Sequence, residues 1–113
     1  MTVRGVPRLT RADFERVMRR GARRDADAVR MYWQREPEKN NRFGLTIKNG
    51  TLKRAVDRNK WKRLVRETVR KSGFTHGKGL SVVFFLSRQP KIELSMAQWE
   101  PVILELLRAT DAR

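Results

Sequence analysis

Residues 80–86 read LSVVFFL, the most apolar run in a chain otherwise dense with charge. A run of this length with no polar alternation suits a strand buried on both faces, in the middle of a sheet. Gln89-Pro90 ends it. The fold has to be organised around this strand, and the other segments must supply its neighbours and its cover.

Two segments carry the alternation of half-buried strands. Val29, Met31 and Trp33 alternate with Arg30, Tyr32 and Gln34, and Phe43, Leu45 and Ile47 alternate with Gly44, Thr46 and Lys48. Trp33 falls on the core side. EPEKNN at 36–41, with Pro37, reads as turn material, so the two strands are expected to pair as an antiparallel hairpin. Thr10 followed by Asp13 resembles a capping box, and Phe14, Val17, Met18 and Gly21 share one helical face, which predicts a helix over about 10–21. Ser95 and Gln98 repeat the capping pattern ahead of a stripe of Trp99, Val102, Ile103, Leu106 and Leu107. Pro101 predicts that this last helix starts near residue 100, after a preliminary turn.

Between Asn49-Gly50 and the glycines at 73, 77 and 79 lies RNKWKRLVRETVRK, residues 58–71. Seven of these fourteen residues are Lys or Arg, and only Glu67 offsets them. On a helix, Trp61, Leu64, Val65 and Thr68 share one face, while Asn59, Arg63, Arg66 and Arg70 share the opposite one, with Lys62 beside them. One side is built for burial. The other carries like charges whose mutual repulsion is left unrelieved, unlike an ordinary solvated helix face with interleaved acids. Trp61 and Trp99 belong to the core.

The element order is therefore helix, strand, strand, helix, strand, helix. That describes an α+β fold, a small two-layer α/β sandwich with one helix-covered, antiparallel-containing sheet. A length of 113 residues suits a single domain spanning 1–113.

The formal net charge of +15 calls for a polyanionic partner, since a compact chain this basic repels itself. Eight Arg against two acids mark residues 1–24, and nine basic residues against two acids mark 53–71. The C-terminal 23 residues carry more acid than base and are expected to face away from the partner. No apolar run approaches the roughly 20 residues that span a bilayer, and the N-terminus has no secretory apolar core. A cytoplasmic location without membrane association is expected.

Catalytic chemistry is sparse. The chain has no Cys, and His76, its one histidine, sits in FTHGKG without a carboxylate nearby in sequence. Asp25 and Asp27 make a poor metal site, and GKG at 77–79 lacks the spacing of a phosphate-binding loop. The chain reads as a binder.

AVDRNKWKRLVRE, residues 55–67, resembles the signature helix of the bacterial ribonuclease P protein subunit. Arg58, Asn59, Lys62, Arg63 and Arg66 match the motif, and Lys60 stands where Arg is usual. RLTRADFERVMRRG at 8–21 resembles the family's first helix, and RFGLTIK at 42–48 its second strand. The chain departs from the pattern in KNGTLKRAV, where Lys53-Arg54 replaces a typical Gly-Lys pair. The resemblance implies a left-handed strand–helix–strand crossover around the motif helix, against the right-handed rule. It implies a ribozyme holoenzyme in which a catalytic RNA subunit cleaves precursor tRNA and, with the substrate, holds Mg²⁺. The protein would bind ribonuclease P RNA through Arg58, Asn59, Lys60, Lys62, Arg63, Arg66 and Arg70. It would hold the single-stranded 5′ leader in a cleft between its first helix and the sheet. Phe14, Met18, Arg30 and Tyr32 are expected to line that cleft, by stacking and charge rather than base-edge readout. The protein alone is expected to be non-catalytic, to hold no metal, and to have no DNA partner. A ribosomal or RNA-chaperone type of binder, and a protein-only nuclease, are the competing readings.

Overall fold

The computed structural model describes residues 9–110. The elements in chain order are α1 (Arg11–Arg20), β1 (Ala22–Ala26), β2 (Val29–Asn40), β3 (Arg42–Ile47), α2 (Ala55–Lys71), a 3₁₀ turn (Phe74–His76), β4 (Lys78–Leu86) and α3 (Met96–Ala109). The N-terminal MTVRGVPR stretch, with Arg4 and Arg8 of the first basic patch, and residues 111–113 lie outside the described residues.

Val82, Val83 and Phe84 are fully buried, as the LSVVFFL run demands. β4 lies inside a four-stranded mixed sheet of order β1-β2-β4-β3. It runs antiparallel to β2 and parallel to β3. β3 and β4 are joined through α2, the strand–helix–strand unit that the resemblance implies.

Cross-strand partners share a face of the sheet. One face presents Val29, Met31 and Leu45 together with Val82, Phe84 and Leu86 to the main core, which α2 and α3 complete. Trp61 and Trp99 meet edge to face there, with ring centroids 6.2 Å apart. Such a geometry adds about 0.5–1.5 kcal/mol beyond area burial. Trp33 is half-buried against the same core. The other face packs Val83 against Leu9 and Val17, with α1 as its cover.

Four expectations are corrected. The segments at 29–34 and 43–47 do not form a hairpin, because β4 is inserted between them. Their connection is not a turn over 36–41 either, since β2 continues to Asn40. Its register with β4 slips between Glu36 and Asn40, around Pro37, which has no N–H to give a ladder. The overlong strand carries the chain past the start of β4 to its far side. Asn41 then pins the crossing: its side chain donates to Phe74 O at 2.8 Å and accepts from Leu80 N at 2.9 Å.

The segment at 22–26, which has no place in the expected order of elements, is a strand. β1 is an edge strand with little to bury, so ARRDA shows no apolar alternation. It pairs with β2 through a tight turn in which Asp27 takes φ 50°, a conformation Asp tolerates better than most residues.

The last helix starts at Met96 rather than near residue 100, capped by Ser95, whose hydroxyl accepts from Gln98 N. Pro101 deprives the Ala97 carbonyl of its helical partner. Both residues are exposed, so water can serve that carbonyl, and the buried Trp99 anchors the turn.

Candidate RNA interface

Helix α2 presents the first surface. Trp61, Leu64, Val65, Thr68 and Val69 are buried, and Thr68 turns its hydroxyl back to Leu64 O at 2.9 Å. Asn59, Lys60, Arg63, Arg66 and Arg70 are exposed, and Lys62 is half-buried. Among the described residues Lys60, Lys62, Arg63 and Arg66 form no ion pair, so their charge remains available. Arg70 is partly neutralised by Glu67, at 2.5 Å. Arg58 behaves differently. Its Nη1 donates to Leu52 O and Lys53 O, both at 2.9 Å, and thereby ties down the turn that precedes α2.

A groove beneath α1 is the second surface. It encloses about 460 Å³ and is lined by Leu9, Phe14, Met18, Leu45, Thr46 and Phe85, with the exposed Arg11 and Glu15 at its rim. Thr10 caps α1 at Asp13 N, and Asp13 returns the bond to Thr10 N, both at 3.1 Å. The expected capping box is therefore formed. The Phe14 ring comes this close to β3 only because residue 44 is glycine: a Cβ there would collide with Phe14 Cζ. Phe14, Met18 and Tyr32 pack against one buried cluster of Leu9, Val17 and Val83. Arg30 lies on the same face as Tyr32, beside its hydroxyl and 3.1 Å from Asp25, and both neighbours hold the guanidinium proton more firmly. The four expected cleft residues thus share one side of the sheet.

Phe85 and Thr46 were not expected there. Register places Arg30, Phe85 and Thr46 in one row across β2, β4 and β3. The sequence signal for Thr46 was its polar alternation. For Phe85 there was none, because LSVVFFL does not distinguish one face from the other.

An ionic network clamps α1 to the sheet. Arg42 bridges Asp13 and Glu36 at 2.9 Å each, and Arg16 bridges the same pair at 2.8 and 2.7 Å. Ser81 also donates to Glu36. Burial pushes both carboxyls up, but their hydrogen bonds and the two guanidinium groups win and hold each below its usual range.

Among the described residues the sequence's candidate catalytic groups are not brought together. His76 is exposed on the 3₁₀ turn. Asp25 is engaged with Arg30, and Asp27 belongs to the β1–β2 turn. Among the described residues no group of three or more His, Cys, Asp or Glu side chains is placed to hold a metal ion. Among them, too, no helix is long and apolar enough to cross a membrane.

A basic helix face and an aromatic groove on one small α+β frame define an RNA-binding protein. The Ribonuclease P family model matches residues 8–110, and the chain belongs to that family. It is a ribonuclease P protein subunit, of a family whose work is RNA binding and 5′ processing of tRNA. The fold is that of the Staphylococcus aureus RNase P protein, with a TM-score of 0.77 and 24% identity over 91% of this chain and 94% of that one. The Thermotoga maritima RNase P protein is similar at a TM-score of 0.73 and 23% identity, over 91% and 96%. A second S. aureus structure shares 26% identity at a TM-score of 0.70, over 96% and 92%. No curated protein sequence matches the chain.

Proposed function

We propose that the outer face of α2 docks on the catalytic RNA of ribonuclease P while the groove beneath α1 holds the 5′ leader of precursor tRNA. Asn59, Lys60, Lys62, Arg63, Arg66 and Arg70 take the RNA subunit, with Arg58 acting mainly on the turn before the helix. Phe14, Met18, Tyr32 and Arg30 take the leader, joined by Phe85 and Thr46. The observation that carries this reading is the pairing of unneutralised charge on α2 with an aromatic groove on the opposite side of the sheet. Guanidinium groups grip phosphates in a fork, whereas aromatic rings hold unpaired bases of any sequence. Cleavage belongs to the RNA subunit, which together with the substrate holds Mg²⁺. The protein works in the cytoplasm.

Reconstitution tests the proposal. The purified chain alone should leave precursor tRNA intact. With a cognate RNA subunit and Mg²⁺ it should raise the cleavage rate above that of the RNA alone, most at low Mg²⁺ and low salt. Site-specific cleavage by RNA-free protein would overturn the assignment.

A further inference from the structure

The leader groove does not end at Tyr32. Arg23 of β1 is the register partner of Tyr32 and lies on the same face of the sheet, one strand further out. Arg23 is exposed and forms no ion pair among the described residues. Arg30, by contrast, already answers Asp25 at 3.1 Å. Arg19 stands one helical turn beyond Glu15, which lines the groove, and it too is exposed and unpaired among the described residues. A basic ledge therefore continues the groove across the sheet edge. It lies one strand spacing, about 4.8 Å, past β2.

The direction follows from the chain. β3 closes the opposite end of the groove and leads through residues 48–54 into α2, the helix that meets the RNA subunit. If α2 docks on the catalytic RNA as proposed, the proximal leader nucleotides enter at the β3 end. The strand then crosses Phe85, Arg30 and Tyr32 and leaves over β1.

We infer that Arg23, with Arg19 above it, binds the phosphates of the leader nucleotides farthest from the cleavage site, so that affinity depends on leader length. This rests on the groove being the leader site. The neighbouring Arg24 supplies an internal control: it pairs in register with the fully buried Met31, so it carries the same charge on the opposite face of the sheet.

The experiment measures binding of the reconstituted holoenzyme to precursor tRNAs whose leaders lengthen one nucleotide at a time from none. Arg23→Ala should match wild type on leaderless and short-leader substrates. On leaders long enough to reach β1 it should bind about two- to fivefold more weakly, as expected for one exposed charge contact. Its log–log salt slope should fall by about 0.7 on those substrates alone. Arg24→Ala should follow wild type at every length. Wild-type behaviour of Arg23→Ala at all lengths, an equal loss on leaderless tRNA, or an equal loss in Arg24→Ala would each overturn the inference. Tyr32→Ala separates the two levels. If it leaves leader dependence intact, the groove assignment falls and this ledge with it. If it abolishes that dependence while Arg23→Ala stays wild type, the ledge alone falls.

Discussion

Gly44 decides how closely α1 approaches the sheet, since Phe14 occupies the space that any larger side chain at this position would need. Gly44→Ala forces the ring or the whole of α1 outward. Overpacking of this kind costs about 1–3 kcal/mol. The expected result is a lower denaturation midpoint, partly restored in the Gly44→Ala/Phe14→Leu double variant, which makes room for the methyl group. A single variant as stable as wild type would mean that Phe14 is free to move away at no cost. At this scale the sequence was informative where polarity alternated. Tyr32 and Met31 could be placed on opposite faces from their neighbours, but Gly44 read as one polar-side residue among others, and its contact with Phe14 depends on a helix nearly thirty residues away.

Helix α2 was legible because its two faces differ in kind. Five buried residues oppose an exposed face of Arg, Lys and Asn, and only one rotation of the helix satisfies both. That rotation predicts a split between variants. Arg63→Ala and Arg66→Ala should keep the fold and weaken binding to the RNA subunit, each lowering the log–log salt slope by roughly 0.7–0.9. Trp61→Ala should empty a core site at about 3–5 kcal/mol. Unfolding by Arg63→Ala, with Trp61→Ala affecting RNA binding alone, would reverse the phase. β1 and the end of β2 were not legible, for lack of any such contrast. An edge strand buries almost nothing, so ARRDA resembles a loop, and the separation of β2 from β3 is created by β4, a strand encoded some thirty residues later. The docking of α1 carries its own prediction. Asp13 and Glu36 are held below their ordinary values of 3.8 and 4.5, so the unfolded chain binds protons more readily than the folded one. Their stabilisation is complete above that range and is lost as pH falls through it. Arg42→Met removes one of the two bridging cations, so its stability should decline less steeply with acidification between about pH 5 and 3. An equal slope in wild type and variant, measured by denaturant titration across pH, would show that the acid sensitivity arises elsewhere.

At the scale of the whole molecule, the formal charge of +15 opposes folding and favours RNA binding, and salt should move the two in opposite directions. The ion pairs of the described residues do not cancel this charge: they are mostly local, and the strongest of them form the network around Arg42, which is shielded from solvent. Screening therefore acts mainly on the repulsion among exposed cations on α2, α1 and β1. The Debye length shrinks from about 30 Å at 0.01 M to about 8 Å at 0.15 M, a change from the dimensions of the domain to those of a single helix. In that interval sodium chloride should raise the thermal midpoint of the free protein while it lowers affinity for the RNA subunit. Catalytic RNA at low salt should raise the midpoint as well, by binding the folded chain and by relieving the same repulsion. A neutral osmolyte provides the control, since it stabilises without screening and should leave the RNA salt slope unchanged. The measurement is thermal unfolding of the free chain over a sodium chloride series, set against RNA affinity in the same buffers. A midpoint that falls with salt would mean that attractive pairs outweigh the repulsion, and that the exposed arginines are better neutralised within the protein than their positions on the surface indicate.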